Sequence, residues 1–306
     1  MNLITFKLEP VPPFRLDLTV WALRRRADNV IDRWDGRIYR RVFVIKNKPV
    51  EIAVEQLGSL DAPKLTVTAR GERLRPEMKS ALVQMLQRVL GLQIDLSAFY
   101  RLAEKDRKLK GLAQKFRGLK PPRFVALFEA LTNGIACQQL TLTVGILLLN
   151  RLTTNFGLSF QAEPFGHAFL RPEDLTGSEA EDLGKLGFSH QKALALTELS
   201  RILVDRRLSL EYLEDLEDET AMAQLRELRG VGRWTAEYVL LRGLGRLHVF
   251  PGDDVGVRKK LQRWLDLEEP LDYAGVNRLL ASWRPYGGFI YFHLLLDSLR
   301  EEGYLK

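Results

Sequence analysis

The chain is poor in cysteine: Cys137 is the only one among its 306 residues. A single thiol excludes an intramolecular disulfide, a zinc site made of several cysteines and a four-cysteine iron–sulfur cluster. Long apolar runs are also lacking, and without about 18 consecutive apolar residues a membrane-spanning helix is not expected. The first residues, MNLITFKLEPVPPF, lack the basic start and apolar core of a signal peptide. We therefore expect an intracellular, cytoplasmic protein with no membrane partner.

Acidic residues are fewer than basic ones. The chain has 46 Lys and Arg against 39 Asp and Glu, a formal net charge of +7 at pH 7. A surplus of this size suits a polyanionic partner, either a nucleic acid or an anionic surface. Because many basic proteins bind neither, the charge alone does not select one.

The first hundred residues predict an α+β domain with an antiparallel sheet. Apolar and polar residues alternate as in half-buried strands at residues 14–21, 37–45, 50–57 and 64–69. Residues 76–92 change to a helical spacing of apolar residues. We predict that this N-terminal domain spans residues 1–104.

The remainder of the chain has few strand signals. Residues 105–123 are rich in charge and contain Gly118 and Pro121-Pro122, which is typical of a passage between domains. Helical patterns follow at residues 124–156, 179–186, 191–206, 218–227, 234–243, 256–264 and 270–282. We therefore predict a mostly α-helical region over residues 105–306, and an α+β fold for the whole chain.

A turn between two helices is predicted within residues 225–236, LRELRGVGRWTA. Gly230 and Gly232 allow backbone conformations with positive φ. Such a turn points N–H groups outward at the start of the second helix, where they bind a phosphate oxygen with help from the helix dipole. Arg229 and Arg233 add positive charge beside it. Taken alone, the pattern is equally typical of an ordinary connection with a glycine C-cap.

A second block follows this hairpin: residues 249–259 read VFPGDDVGVRK. Together with GVGRWTA at residues 230–236, it resembles the helix-hairpin-helix superfamily of DNA glycosylases, in which the hairpin is followed by a loop with Gly and Pro and by an essential aspartate. Residues 128–141 resemble the family's early helix, with Cys137 where glycine is usual. The beginning of the sheet region, Pro12-Pro13-Phe14, points to the DNA-3-methyladenine glycosylase II branch.

The resemblance implies a function in base excision repair of alkylation damage. A member of this branch flips an alkylated purine of the 3-methyladenine or 7-methylguanine type out of duplex DNA and hydrolyses its N-glycosidic bond, which leaves an abasic site. Double-stranded DNA is the implied partner, bound in a cleft between two helical subdomains, and no obligate protein partner is evident. In a bacterium the protein would lie with the nucleoid. Two alternatives stay open: a glycosylase for oxidised or deaminated bases, and a DNA-binding protein without catalysis.

The resemblance also assigns the hairpin to DNA binding. The residues concerned are Arg229, Gly230, Val231, Gly232, Arg233 and Thr235. No cofactor is required and no metal site is predicted. A monovalent cation at the hairpin is the one bound ion that the resemblance allows for, because related hairpins hold one.

Two adjacent acids, Asp253 and Asp254, compete for the catalytic position. In the family the catalytic aspartate stands three residues before an aliphatic residue and four before a basic one, which matches Asp254 with Val257 and Arg258. A fixed carboxylate stabilises the oxocarbenium character that develops on the sugar, and it orients or deprotonates the attacking water. The alternative is that both acids merely cap the following helix.

Trp234 stands where strand-cutting members of the superfamily carry a Schiff-base lysine. The resemblance therefore implies a monofunctional enzyme without a lyase step. Trp234 and Tyr238 are four residues apart, so they share one helix face, and the resemblance places the flipped base against them. A cationic purine suits the negative face of an aromatic ring. The alternative is that both rings pack into the core.

Two positions depart from the branch. Leu295 stands where a third pocket aromatic, a tryptophan, is expected. The plug that fills the gap left by a flipped base falls on Gln139, where leucine is common in the branch. The alternative is that Gln138 and Gln139 are helix-terminal residues that contact backbone.

Overall fold

A five-stranded antiparallel sheet forms near the N-terminus, as predicted. In the computed structural model, which describes residues 1–161, 163 and 165–305, the strands are β1 (Asn2–Leu8), β2 (Arg33–Trp34), β3 (Ile38–Ile45), β4 (Lys48–Gln56) and β5 (Leu65–Gly71). Their spatial order is β1-β5-β4-β3-β2. Lys46 and Asn47 both have positive φ, 49° and 59°, which suits the tight turn of the β3–β4 hairpin. A short pair, β6 (Ser159–Phe160) and β7 (Gly166–His167), forms a second sheet, and Ala168 after β7 makes a bridge to Val42 of β3.

Helices make up most of the later chain, so the predicted α+β fold is confirmed. Those of the described residues are α1 (Leu16–Arg24), α2 (Lys79–Leu90), α3 (Ser97–Ala103), α4 (Arg107–Lys115), α5 (Leu127–Cys137), α6 (Leu142–Phe156), α7 (Pro172–Leu175), α8 (Ala180–Lys185), α9 (His190–Val204), α10 (Asp218–Glu227), α11 (Arg233–Val239), α12 (Val255–Leu265), α13 (Tyr273–Leu280) and α14 (Gly287–Glu301). A π-helical turn, Leu240–Leu244, continues α11. None of the helices in the described part of the chain combines the length and apolar character that crossing a bilayer requires.

The strand predicted at residues 14–21 is wrong, because most of this segment lies in α1. Every residue of α1 except Asp17 is buried, so the alternation of polar and apolar residues does not mark two faces. Thr19 tolerates burial because its hydroxyl donates to the carbonyl of Arg15 at 3.0 Å. In contrast, β1 and α14 lie outside the predicted elements. Buried residues occupy nearly the whole of α14, so it has no amphipathic pattern to detect.

The helix predicted over residues 124–156 is interrupted. It divides into α5 and α6 at a short turn in which Gln139 has a positive φ of 54°. The predicted passage at residues 105–123 contains a helix of its own, α4. The break after α5 matters for function, since the turn there lines the candidate site.

Two apolar clusters join the N-terminal residues to the later helices. One cluster contains sheet residues such as Phe43 together with Leu131 of α5. The second joins Trp21 of α1 and Phe99 of α3 to Phe289 of α14. Through these contacts, α1 reaches the helical region beside the candidate site. The predicted domain boundary between residues 104 and 105 stays a prediction.

Candidate active site

The two glycines of the hairpin have different conformations. Gly230 has a φ of +76°, and a Cβ there would lie 2.9 Å from the Cβ of Ala195. Gly232 has an extended backbone with φ −88°, and a Cβ there would meet nothing within 4 Å. The sequence allows a positive φ at both glycines of the hairpin, but of these two only Gly230 adopts it. Val231 between them is buried. Gly232 is exposed, and the space beside its backbone is open to an outside molecule.

The charged and polar side chains of the hairpin are already engaged within the protein. Arg233 donates to both carboxylate oxygens of Asp253, at 2.5 and 2.9 Å. Arg229 is exposed and donates to Gln191 at 3.1 Å. Thr235 is buried, with 1% of its surface exposed, so its side chain is not available to a partner outside. Gly232 offers no side-chain cap to α11, which leaves the first N–H groups of that helix open to a ligand.

Asp254 is the N-cap of α12, and its two oxygens have different partners. Oδ1 accepts a hydrogen bond from the backbone N–H of Val257 at 3.0 Å. Oδ2 lies 3.4 Å from the indole nitrogen of Trp234 and 3.4 Å from the hydroxyl of Tyr291. One oxygen therefore fixes the side chain, while the other faces two neutral donors at the mouth of a pocket.

The rings of Trp234 and Tyr238, which their spacing places on one helix face, are stacked on each other. Their centroids are 5.3 Å apart and their planes are inclined by 24°. Tyr238 is buried, whereas Trp234 is half-buried and borders the open cleft. The two rings thus form one wall, with Tyr238 at its inner end.

A pocket of about 260 Å³ lies beside Asp254. Its lining comprises Arg25, Cys137, Leu140, Thr141, Leu142, Trp234, Tyr238, Asp254, Gly256, Val257, Lys260, Tyr291 and Leu295. A wider cleft of about 830 Å³ is lined by the hairpin, the turn after α5 and residues 253–256. The pocket opens from this cleft, because both share Cys137, Leu140, Thr141, Trp234, Asp254 and Gly256. A purine base is smaller than the drug-sized ligands that occupy pockets of about 300–1,000 Å³, so this volume suits it.

Two basic residues that no sequence motif marks also line the pocket. Arg25, at the end of α1, is buried and donates to the Tyr238 hydroxyl at 2.9 Å and to Asn133 Oδ1 at 2.5 Å. Its Nε has no partner among the described residues. Lys260 of α12 is the second, and burial lowers the pKa of its amine. Arg25 also donates to the sulfur of Cys137 at 3.9 Å, and none of its three partners is a carboxylate, so its charge is not neutralised by an ion pair there.

The missing third aromatic is supplied by a different residue of the same helix. Leu295 lines the pocket, and Tyr291 lines it one turn earlier on α14. Burial, together with the nearby charge of Asp254, raises the pKa of Tyr291 well above its ordinary value. Its hydroxyl therefore stays protonated and can donate to Asp254.

The turn between α5 and α6 separates the roles of two glutamines. Gln138 points inward, where its Nε2 donates to the Gly230 carbonyl and to the Thr235 hydroxyl, both at 2.6 Å. Its own carbonyl accepts from the ammonium of Lys192 at 2.7 Å. Gln139 is exposed and lines the wide cleft. The backbone-contact alternative thus describes Gln138, whereas the assignment of Gln139 as the plug stays a prediction.

Several hairpin carbonyls accept hydrogen bonds within the protein. Those of Leu228, Gly230 and Gly232 already accept hydrogen bonds from Val231, Gln138 and Ala236. The described residues contain no group of three or more His, Cys, Asp or Glu side chains that would hold a metal ion. The monovalent cation at the hairpin stays a prediction.

Comparison with known proteins settles the family. Residues 133–285 match the family model described as HhH-GPD superfamily base excision DNA repair protein.

The chain belongs to this superfamily.

Relatives in this superfamily extend the likeness to nearly the whole chain. It is 26% identical over 291 residues to the putative DNA-3-methyladenine glycosylase YfjP of Bacillus subtilis, covering 94% of this chain and 97% of the relative. The solved 3-methyladenine DNA-glycosylase of Archaeoglobus fulgidus superposes with a TM-score of 0.83 at 25% identity, covering 95% and 97%. The 8-oxoguanine glycosylase/lyase of Clostridium acetobutylicum in complex with dsDNA has a TM-score of 0.74 at 17% identity, covering 98% of each chain, and shows a shared fold. The predicted family is confirmed, and DNA is the partner of a base excision repair protein.

Proposed function

We propose that the protein is a monofunctional DNA glycosylase that excises alkylated purines, of the 3-methyladenine and 7-methylguanine type, from duplex DNA. The observation that carries the proposal is the position of Asp254 Oδ2, which faces a purine-sized pocket walled by the stacked rings of Trp234 and Tyr238. The names of the relatives agree with this substrate class. Work on chromosomal DNA would place the protein in the cytoplasm, with the nucleoid in a bacterium.

DNA binding would begin at the hairpin. The open N–H groups at the start of α11 and the bare backbone of Gly232 fit a phosphate oxygen, since no side chain obstructs the approach. Arg229 is exposed beside this surface, and it would contribute positive charge once a phosphate takes the place of its ion-pair partner, Glu198. Gln139, at the exposed turn, would fill the space that the flipped nucleotide leaves in the duplex.

Bond cleavage would depend on Asp254. Its anchored carboxylate places a negative charge beside the sugar of a base held against Trp234, and this charge stabilises the oxocarbenium character of the transition state. The same oxygen can orient or deprotonate the water that attacks the sugar. An alkylated purine already carries positive charge, so it leaves without a strong general acid. The products would be the free base and an abasic site.

A lyase step is not part of the proposal. Trp234 of the hairpin offers a neutral N–H where a Schiff base needs an amine. Lys260 does supply an amine, but it lines the inner pocket and not the wide cleft in which the sugar would lie. Its amine would therefore face the base.

A second candidate function is the excision of neutral oxidised or deaminated bases. Arg25 and Lys260 favour it, because two cationic donors in one pocket suit a carbonyl acceptor and repel a cationic base. A DNA-binding protein without catalysis is the third reading, but binding alone needs neither Asp254 nor a base-sized pocket beside it.

One experiment separates the three functions. Duplex DNA treated with a methylating agent, and duplexes with a single hypoxanthine or 8-oxoguanine, are incubated with the protein, and released bases are identified by chromatography. Release of methylated purines supports the proposal, and release confined to the neutral lesions supports the second candidate. Binding of all the duplexes without release of any base would refute both catalytic functions.

A further inference from the structure

A buried carboxyl group forms a hydrogen bond with the backbone of the loop that carries Asp254. Glu237 of α11 is 2% exposed, and its Oε2 accepts a hydrogen bond from the backbone N–H of Gly252 at 3.1 Å. Glu237 is three residues after Trp234 on the same helix. One helix therefore presents an aromatic ring to the pocket and a carboxyl group to the loop that ends in Asp254.

A tyrosine from α13 completes the contact. The hydroxyl of Tyr273 donates to Glu237 Oε1 at 2.5 Å. Its ring lies so near to the loop that a Cβ on Gly252 would be 2.8 Å from it. The guanidinium of Arg233 lies over the same ring, 3.9 Å from its centroid. Arg233 also pairs with Asp253 of the loop. The hairpin helix therefore contacts the loop twice, through Glu237 and through Arg233, with Tyr273 between these two side chains.

We propose that Glu237 is a positioning residue for base release, and that its ionised carboxylate is the form that holds the Asp254 loop at a fixed place beside the hairpin helix. This inference rests on the proposed glycosylase function. An ionised carboxylate accepts from Gly252 and Tyr273 at once. A protonated carboxyl has lost this charge: its proton reverses the hydrogen bond to Tyr273, both hydrogen bonds become neutral and about half as strong, and the loop is held less firmly.

The titration of Glu237 falls in the neutral range. The pKa of Glu237 is raised to about 7: burial is the largest cause and the charge of Asp253 adds to it, against the lowering effects of the Tyr273 hydroxyl, the Gly252 N–H and Arg233. The carboxylate form is present above this pKa and is lost as the pH falls through it. Base release should therefore decline on the acid side with a midpoint near pH 7, through a group that does not touch the substrate.

The test is the single-turnover rate of base release as a function of pH, for the full-length protein and for Glu237→Gln. Glutamine accepts at one oxygen only, so it imitates the protonated carboxyl. Its rate should be about 10–100-fold below that of the unaltered protein at pH 8, since small displacements of a catalytic group cost this much. The rate of Glu237→Gln should not vary between pH 6 and pH 8, and its affinity for DNA should change little.

A second variant moves the same titration in a defined direction. Tyr273→Phe removes a donor that stabilises the charged carboxylate, so the pKa of Glu237 rises and the acid decline moves to higher pH. A matched control is Glu129→Gln, another buried glutamate, which pairs with Arg41 away from the loop. This control should lower thermal stability and leave the midpoint in place.

The inference is overturned if Glu237→Gln keeps the acid decline of the unaltered protein. A second measurement keeps this result separate from a failure of the proposed function. The backbone amide of Gly252, followed by NMR, should titrate with a midpoint near 7 and stop doing so in Glu237→Gln, whether or not any base is released. If no base is released at any pH but the Gly252 amide titrates, the proposed glycosylase function is refuted and the contact between Glu237 and the loop is supported. A Gly252 amide that does not titrate overturns the inference.

Discussion

The indole nitrogen of Trp234 lies 3.4 Å from Oδ2 of Asp254. A neutral donor at this oxygen leaves the carboxylate charge in place, whereas the neighbouring Asp253 is neutralised by Arg233. Among the described residues, Asp254 forms no ion pair. The two adjacent acids are thus distinguished by their partners, and Asp254 has the uncancelled charge that a cationic transition state needs.

Asp254→Asn should abolish most base release without weakening the fold. Asparagine caps a helix as well as aspartate does, so the contact to Val257 and the thermal stability should persist. The loss of the negative charge should reduce the single-turnover rate by about 10²–10³-fold, comparable to other electrostatic groups in active sites. Binding to lesion DNA, measured by fluorescence anisotropy, should stay within a few-fold of the unaltered protein. Turnover at the original rate would exclude Asp254 from the mechanism.

Trp234 should determine the absence of strand cutting. On abasic DNA the unaltered protein should give no covalent complex with borohydride and no nicked strand. Trp234→Lys places an amine at the hairpin position and should produce a complex that borohydride traps. Lys260→Met tests the other amine near the pocket. A trapped complex with the unaltered protein that disappears in Lys260→Met would contradict the monofunctional assignment.

The two hairpin glycines should respond differently to the same substitution. Gly232→Ala meets no atom of the protein, so stability should not change while affinity for every DNA sequence falls, because backbone contacts position without specifying. Gly230→Ala forces a left-handed residue against Ala195 and should cost about 1–2 kcal/mol of stability. Thermal melts and binding curves for this pair separate a fold effect from a phosphate effect. Equal affinity for Gly232→Ala and the unaltered protein would argue against backbone binding at this point.

Lys260 should set the balance between charged and neutral bases. Its charge interacts with that of Asp254, so Lys260→Met removes a charge from the pocket and also changes the surroundings of Asp254, an effect that both substrates share and that cancels in the ratio of their rates. Release of 7-methylguanine relative to hypoxanthine should rise by about tenfold, which corresponds to about 1.4 kcal/mol of charge repulsion. Competition between the two substrates in one reaction measures this ratio directly. An unchanged ratio would mean that the amine does not face the base.

The sequence predicts those parts of the site that are contiguous in the chain. The hairpin, Asp254 and the stacked pair all belong to short motifs with fixed spacing. Arg25 and Tyr291 come from the first and last helices, α1 and α14, and only the tertiary fold brings them to the pocket. Neither has a local pattern that marks it.

Glu237 did leave a signal in the sequence. It is an acidic residue in the segment TAEYVLL, in which Thr235 is the one other residue that is neither aliphatic nor aromatic, and a buried acid among apolar neighbours often indicates a functional or structural partner. That partner, the N–H of Gly252, is 15 residues away in the chain, so the residue type was visible but its role was not. In α1 and α14 the opposite holds: burial on nearly all faces removes the periodicity on which secondary-structure prediction depends.

Gln138 ties the hairpin to the turn that presents Gln139, through the Gly230 carbonyl and the Thr235 hydroxyl. On the proposed function, these two hydrogen bonds would fix the distance between the phosphate at the hairpin and the side chain that enters the duplex. Each binding event would then test one nucleotide at one offset from the bound phosphate, and the rate of the search along DNA would depend on how quickly each phosphate is released.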